Sequence, residues 1–310
     1  MRVVFMGTPA LAVPSLDALI AAGMTVPLVV AQPDRAAGRG GRMRAPPVAR
    51  RAKELGLPLH QPGTVRNRAF LDRIASAEPD AVAVVAYGRI LGPRVLSLPR
   101  LGCINVHASL LPAYRGAAPI QQAIMSGDDE TGVTTMYMSE GLDEGDILLV
   151  AKTPIEATET SGVLGQRLSA MGAALLVETL TGLEAGTIEA RAQDHAAASY
   201  AAPLTVATGH LDFRLPATEL SWLIRGVHPW PGARLLLRGE SIKIHTAEPL
   251  LEGTGEPGTV VAAGPEGLDV ATGRGLLRIK RAQRPNRRAL AIAELLRGWP
   301  IEPGERVESP

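Results

Sequence analysis

The first half of the chain alternates short β-branched apolar runs with helical stretches, and this alternation restricts the possible folds more than any other feature. The predicted strands are residues 2–6, 25–32, 80–86, 102–107, 131–138 and 146–152. The predicted helices are residues 11–22, 48–55, 66–77, 117–126 and 161–183. Strands that alternate with helices build βαβ units, so this half predicts an α/β, Rossmann-like domain with a mostly parallel sheet.

The pattern changes near residue 203. Residues 195–208 are polar, rich in small side chains and weakly periodic, which is typical of a linker. Beyond them, one helix is predicted at residues 217–227, and five short strands follow. The strands are residues 233–238, 241–246, 258–262, 268–271 and 276–280. Short strands with frequent turn signals indicate a small OB-like β-barrel, so we predict domains at 1–194 and 209–310 joined by linker 195–208.

Composition excludes several classes of protein. Of the 310 residues, 46% are hydrophobic and the formal net charge is +1, which favours a globular chain over a disordered one. The single cysteine, Cys103, cannot form an internal disulfide or a cysteine-based zinc site. The first residues lack the order of a signal peptide, and no apolar run approaches the ~20 residues that cross a bilayer. We therefore expect a cytoplasmic protein with no membrane partner.

Residues 102–121 hold the side chains with the most chemical content. Asn105 and His107 lie two residues apart in a predicted strand, so they project from the same face. They also lie at the carboxyl end of that strand, where open α/β sheets bind ligands. An apolar loop follows, formed by Ser109, Leu110, Leu111 and Pro112. An apolar wall with free backbone groups suits a flat heteroaromatic ligand.

A second polar segment, residues 138–146, follows the strand predicted at 131–138. A glycine-containing loop in this place can bring a carboxylate over the crevice, and Asp143 is the first candidate, with Asp146 the second. In isolation each residue has a structural explanation, because histidine has many non-catalytic roles and aspartate favours turns. Asn105 could equally bond a buried backbone group. Because Asn105, His107 and Asp143 all lie at or after the ends of predicted strands, their shared position favours a functional site.

The same two segments resemble the signatures of the folate-dependent formyltransferases. The first is Asn105-Val106-His107-Ala108-Ser109-Leu110-Leu111-Pro112 followed by Arg115-Gly116-Ala117-Ala118-Pro119-Ile120, and the second is Gly132-Val133-Thr134 with Gly141-Leu142-Asp143-Glu144-Gly145-Asp146. The resemblance implies that Asn105, His107 and Asp143 are catalytic. It also implies that Ser109, Leu110, Leu111 and Pro112, with the loop at residues 87–91, line a folate pocket. The donor it implies is 10-formyltetrahydrofolate.

Physical chemistry supports these roles. An amine that attacks a formyl carbon builds negative charge on the carbonyl oxygen, and one preorganised donor there is worth about 10²–10³ in rate. Asn105 and His107 are the available donors, and Asp143 could hold the imidazole in one tautomer and help to remove the amine proton. Neither a metal nor a covalent enzyme intermediate is required.

The acceptor amine is predicted from charge and from further resemblance. Gly7-Thr8-Pro9, Gln32-Pro33-Asp34-Arg35 and Pro229-Trp230-Pro231-Gly232 are similar to members that formylate the methionine on initiator tRNA for translation initiation. Residues 33–47 are predicted to form a long polar loop, and this loop and the helix after it are basic. The basic residues are Arg35, Arg39, Arg42, Arg44, Arg50, Arg51 and Lys53. The resemblance implies that Gly38-Arg39-Gly40 contacts the acceptor end of the tRNA, so we predict that Arg39 and Arg42 bind tRNA.

A second basic cluster lies near the end of the chain. Its members are Arg274, Arg278, Lys280, Arg281, Arg284, Arg287 and Arg288. Clustered arginine is the electrostatic footprint of RNA binding, although such runs are usually only solvated surface. Pro203 stands where the family commonly has a lysine, so the resemblance does not carry the family's tRNA contact over to this linker, while the predicted chemistry is unaffected. Two alternatives stay open: formylation of an amino sugar nucleotide or another small amine, and a catalytically silent RNA- or folate-binding protein. We expect a monomer.

Overall fold

The computed structural model describes residues 1–37 and 41–310. The strands are β1 (Val3–Gly7), β2 (Val29–Val30), β3 (Arg35–Ala37), β4 (Arg42–Arg44), β5 (Leu59–His60), β6 (Ala81–Val85), β7 (Cys103–His107), β8 (Arg115–Gly116), β9 (Glu130–Tyr137), β10 (Ile147–Pro154), β11 (Tyr200–Ala201), β12 (Ala233–Leu237), β13 (Glu240–Leu250), β14 (Val260–Gly264), β15 (Gly267–Ala271), β16 (Leu276–Gln283), β17 (Leu290–Ala291) and β18 (Val307–Glu308). The helices are α1 (Val13–Ala21), α2 (Pro47–Glu54), α3 (Arg68–Ala75), α4 (Pro93–Leu96), α5 (Pro119–Met125), α6 (Ser161–Ala185), α7 (Ala217–Gly226) and α8 (Ile292–Gly298).

The chain divides into two compact units. The first comprises Met1–Gly116, Glu130–Pro154 and Gly165–Ala201, and the second comprises Ala117–Asp129, Ile155–Leu164 and Ala202–Pro310. The segment at residues 195–201, which the sequence analysis assigns to a linker, includes β11, and β11 pairs in parallel with β8 inside the first unit. The domain boundaries given above stay a prediction.

The first unit is built on a seven-stranded sheet in the order β10-β9-β7-β6-β1-β2-β5. Strands β7, β6, β1, β2 and β5 are parallel, while β9 is antiparallel to β7 and β10 is antiparallel to β9. The parallel strands follow the order of a Rossmann-type half, with the first strand in the middle. The predicted α/β class with a mostly parallel sheet is confirmed.

Helices cover both faces of this sheet. Val3 and Phe5 of β1 pack on one face with Leu16 of α1 and Leu176 of α6, whereas Met6 packs on the opposite face with the α3 helix. Alternate residues of a strand point to opposite faces, so a run buried on both sides must be apolar throughout. Such a sheet is rigid, and the loops at its carboxyl end start from fixed positions.

Helix α6 is long and apolar enough to cross a membrane by length and composition. From the sequence, residues 161–183 were predicted as a helix and no membrane-spanning run was predicted. Leu176 and Leu180 of α6 are fully buried in the core of the first unit, so α6 is a core helix there.

The second unit contains an antiparallel sheet in the order β14-β15-β16-β13-β12-β18, and β17 adds to β16. Leu220 and Ile224 of α7 pack into its core against Ile242, Val270 and Ile279. Register shifts in β13 at residues 244–247 bend the sheet into a curled half-barrel. The five strands and the helix predicted for this half are present within a few residues of their predicted bounds, and β17, β18 and α8 are additional.

Candidate active site

Asn105 and His107 both lie on β7, at the carboxyl end of the parallel part of the sheet. The connection from β9 to β10 brings Asp143 to the same place. The Nδ2 atom of Asn105 donates to Oδ1 of Asp143 at 3.5 Å, and Nδ1 of His107 lies 3.6 Å from Oδ2 of Asp143. The second distance is too long for a direct hydrogen bond, but catalytic contacts are often long before substrate binds. The three side chains therefore surround one spot.

The imidazole of His107 is held from its far side. Its Nε2 atom lies 2.9 Å from the carbonyl oxygen of Tyr114, so Nε2 carries a hydrogen and donates it. This bond turns Nδ1 toward Asp143. The His107 side chain is only 7% exposed and the Asp143 side chain 13%, so both groups are largely shielded from solvent. A carboxylate and an imidazole that are largely removed from water interact more strongly than they would on the surface.

The Asp143 carboxylate is aimed by backbone atoms. Its Oδ2 accepts a hydrogen bond from the backbone nitrogen of Gly116 at 2.8 Å. Gly116 has φ +112°, and a Cβ there would lie 2.6 Å from the Tyr200 ring, so only glycine fits. Asp143 itself has φ +53°, an uncommon backbone conformation for any residue except glycine. Strained backbone of this kind persists only where its surroundings enforce it.

The apolar loop after β7 is present, but its residues are not equivalent. Leu110 and Pro112 are half-buried, Leu111 is buried, and Ser109 is fully buried. The Ser109 hydroxyl donates to the Ala113 carbonyl at 2.6 Å, and its own carbonyl accepts from Thr134 at 2.7 Å. Ser109 thus shapes the loop, and Leu110 and Pro112 supply its accessible apolar surface.

The loop after β6, at residues 87–91, leaves the sheet beside the loop after β7, because β6 and β7 are neighbouring parallel strands. Ile90 is 54% exposed there. The Tyr87 hydroxyl is buried and has no hydrogen-bond partner in the described part of the chain. Burial raises the pKa of Tyr87, so this hydroxyl keeps its hydrogen and can donate it. The two loops together offer apolar surface and one unsatisfied donor.

Other candidate residues lie elsewhere. Asp146, the second candidate carboxylate, is exposed. The carboxylate that lies beside His107 and Asn105 is that of Asp143. Cys103 is buried two residues before Asn105, and burial raises the pKa of its thiol to about 12, which rules it out as a nucleophile. Arg42 lies exposed on β4. Arg39 lies outside the described residues.

Sequence reasoning missed three contributors to this site. Tyr114 and Gly116 contribute backbone atoms, which no side-chain pattern reveals. Gln193 is buried beside the loop that carries Asp143, and its amide nitrogen donates to the Asp143 carbonyl at 2.9 Å. Gln193 precedes the predicted linker 195–208 and belongs to none of the motifs described above, so the sequence did not mark it.

Comparison with known proteins agrees with the geometry. Residues 1–180 match the formyl transferase family, and residues 203–300 match the formyl transferase C-terminal domain. The chain belongs to the formyl transferase family. The methionyl-tRNA formyltransferase of Ectopseudomonas mendocina is 49% identical over 295 residues, which cover 95% of this chain and 94% of that protein. The methionyl-tRNA formyltransferase of Moorella thermoacetica is 46% identical over 308 residues, with 98% of each chain covered.

Solved structures share the fold. WlaRD, a sugar 3N-formyl transferase crystallised in the presence of dTDP and 5-N-formyl-THF, superposes with a TM-score of 0.68 at 18% identity, covering 93% of this chain and 99% of its own. HypX from Aquifex aeolicus, in complex with tetrahydrofolic acid, superposes with a TM-score of 0.64 at 18% identity and covers 96% of this chain and 47% of its own. These likenesses extend over both halves of the chain.

Proposed function

We propose that this chain transfers the formyl group of 10-formyltetrahydrofolate to the amino group of methionyl initiator tRNA, giving formylmethionyl-tRNA for translation initiation. The observation that carries the chemistry is that Asn105 and His107 each place a side-chain nitrogen within 3.6 Å of the Asp143 carboxylate. The acceptor rests on the near full-length similarity to methionyl-tRNA formyltransferases. A cytoplasmic monomer fits a role in translation.

Each of the three side chains has a distinct task in this proposal. Asn105 donates through Nδ2 to the formyl oxygen as negative charge develops on it. His107, held by the Tyr114 carbonyl, and Asp143, held by the Gly116 nitrogen, take up the proton that the attacking amine releases. The amine forms its new bond to the formyl carbon, that carbon's bond to the donor nitrogen breaks, and the proton taken from the amine is returned to the departing nitrogen. Bound folate supplies the activated formyl carbon.

The loops at residues 87–91 and 109–112 fit such a donor. Ile90 and Leu110 provide apolar surface for a flat ring, and the Tyr87 hydroxyl is a buried donor that lacks a partner within residues 1–37 and 41–310. Leu110, Leu111 and Pro112 would line the ligand, and buried Ser109 would hold their loop in shape.

The β3–β4 hairpin supports a polyanionic acceptor. Arg35 and Arg44 lie directly opposite each other in the hairpin, and like charges in such a pair destabilise it. Both arginines line a cavity of about 570 Å³ together with Arg50, Thr8 and Gln32. Among the described residues, none of these three arginines has an ion pair with a carboxylate. Phosphate groups of an RNA end would neutralise them.

The first test compares acceptors. Purified protein and formylated folate are incubated with charged initiator tRNA or with a panel of small amines that includes an amino sugar nucleotide. We expect rapid formylation of the tRNA and none of the panel. If a small amine were formylated and the tRNA were not, the acceptor would be an amino sugar nucleotide or another small amine. If no formyl group were transferred to any acceptor, the chain would be a catalytically silent RNA- or folate-binding protein.

Replacing Arg42 and Arg44 together by alanine is expected to raise the KM for charged initiator tRNA about 5- to 30-fold, since two exposed charge contacts are lost. The dependence of KM on salt should also become shallower, because fewer counterions are released. The KM for formylated folate should not change. Arg39→Ala should likewise raise the KM for charged initiator tRNA.

Arg68→Ala is the matched control, because Arg68 is exposed and already paired with Asp72 at 2.7 Å. An unchanged KM for tRNA in the double variant would show that the β3–β4 hairpin does not contact the tRNA.

The structure divides the basic cluster of the second unit into paired and unpaired charges. Arg278 bonds Asp269 through two contacts of 2.7 Å, Arg284 bonds Glu240, and Lys280 lies 3.5 Å from Glu248. Arg287 and Arg288 are exposed, and neither pairs with a carboxylate in the part of the chain that the structure describes. Both line a cavity of about 510 Å³ beside Trp299. We propose this surface as a second phosphate contact for the tRNA.

The double variant Arg287→Ala/Arg288→Ala is expected to weaken tRNA binding and to reduce the slope of log K against log salt by about one for each lost phosphate contact. Binding of labelled charged tRNA is titrated at several salt concentrations. Arg214→Ala serves as the control, since Arg214 is exposed and held by Asp212 at 2.7 Å. Equal slopes for the double variant and the unmodified protein would contradict the proposed contact.

A further inference from the structure

Gln193 is a buried side chain beside the candidate active site whose amide is fully hydrogen-bonded. It is 6% exposed. Its Nε2 atom donates to the carbonyl oxygens of Asp143 at 2.9 Å and Gly145 at 2.7 Å, and its Oε1 atom accepts from Nε and Nη2 of Arg115 at 3.1 and 2.8 Å. A primary amide has two N–H donors and two acceptor lone pairs. All four are used, so the orientation of the amide is defined.

Arg115 holds this amide from behind. It is 8% exposed, its Nη2 atom lies 3.3 Å from Nδ1 of His195, and its Nη1 atom lies 3.6 Å from Oε1 of Glu144. Arg115 is the first residue of β8, and its neighbour Gly116 donates the hydrogen bond to the Asp143 carboxylate. One short strand therefore acts on Asp143 in two ways: directly through Gly116, and through Gln193.

The loop that Gln193 contacts has little freedom to move elsewhere. Asp143 has φ +53°, and a Cβ on Gly145 would overlap the carbonyl oxygen of Tyr137. Arg191, two residues before Gln193, exchanges two backbone hydrogen bonds of 2.8 Å with Ile147, the first residue of β10. The segment that carries Gln193 is thus fixed at the exit of the same loop.

We propose that Gln193 is a positioning residue for formyl transfer, an inference that rests on the function proposed above. Its amide holds the Asp143 and Gly145 carbonyls, which keeps the Asp143 carboxylate facing His107 and Asn105. Gln193 itself does not contact the reacting atoms. A displacement of about 1 Å in a catalytic group can cost about 10²-fold in rate.

The test uses Gln193→Met, which keeps the length of the side chain and removes all four hydrogen bonds, and Gln193→Glu, which keeps an acceptor for Arg115 and removes both donors. We expect kcat to fall about 10²-fold in each, with the KM values for tRNA and folate nearly unchanged. Asp194→Ala is the control, because Asp194 is exposed and only caps the turn at Ala196. A rise in KM with unchanged kcat would overturn the proposal.

A double-mutant cycle separates positioning from a general structural role. If Gln193 acts through Asp143, then Gln193→Met added to Asp143→Asn should lower kcat by less than about threefold, because the group to be positioned has already lost its function. Full additivity of the two effects would contradict the proposal. Should Gln193→Met fail to fold, the same cycle is carried out with Gln193→Glu.

The cycle uses whichever amine the unmodified protein formylates. Failure of the proposed acceptor and failure of the Gln193 proposal are therefore separate results. The first appears in the unmodified protein alone, and the second appears as a Gln193 variant whose kcat equals that of the unmodified protein.

Discussion

Replacing His107 by alanine is expected to lower kcat for formyl transfer by about 10²–10⁴-fold, the usual contribution of a positioned general acid or base. The physical reason is that His107 is the imidazole of the site, with Nε2 bonded to the Tyr114 carbonyl and Nδ1 facing Asp143. KM values should change little, because the proton transfer is needed only in the transition state. Steady-state kinetics with saturating folate and varied tRNA measures both quantities.

The control is His60→Ala. His60 is a half-buried histidine of the same unit, on β5, and its ring stacks on Phe70 with centroids 6.2 Å apart. Loss of that contact should affect stability more than turnover. Since His107 is buried, its replacement leaves a small cavity, and His107→Asn is the second variant for the case in which the alanine variant unfolds. A folded His107 variant with near-normal kcat would disprove the assigned role.

The architecture could be predicted from sequence where burial forces a pattern. A strand covered on both faces must be apolar throughout, and β1 and β6 are, whereas β7 is apolar except for the site residues Asn105 and His107. The two-residue strands β5, β8 and β11 have no such run, and each is defined by its pairing with a segment distant in sequence. The hairpin of β3 and β4 was predicted as part of a loop, since its arginines give no strand signal.

The candidate site was predictable in part for the same reason. Asn105 and His107 share a strand face, so their proximity follows from a spacing of two residues. Gln193 lies 50 positions from Asp143, and its contact follows only from tertiary structure. Charge clusters show a related limit: the sequence contains Arg278 and Arg287 alike, but only the structure shows that Arg278 is already neutralised by Asp269.

Replacing Asp143 by asparagine is expected to lower kcat by about 10³–10⁴-fold, since loss of the carboxylate that orients a catalytic imidazole can cost up to about 10⁴. This corresponds to about 4–5.5 kcal/mol of transition-state free energy. Asparagine has nearly the same shape, and its carbonyl oxygen can still accept the hydrogen bond from the Gly116 nitrogen. The loop should keep its conformation, so the measured loss reports the charge and proton affinity of the carboxylate.

Asp146→Asn provides the matched control for this prediction. Asp146 lies in the same loop three residues later and is exposed, so neutralising it changes the local charge equally without touching the site. We expect its kcat to stay within about twofold of the unmodified protein. If both variants lost activity equally, the effect would come from the charge of the loop. If only Asp143→Asn lost it, the carboxylate that faces His107 at 3.6 Å would be the group that the reaction requires.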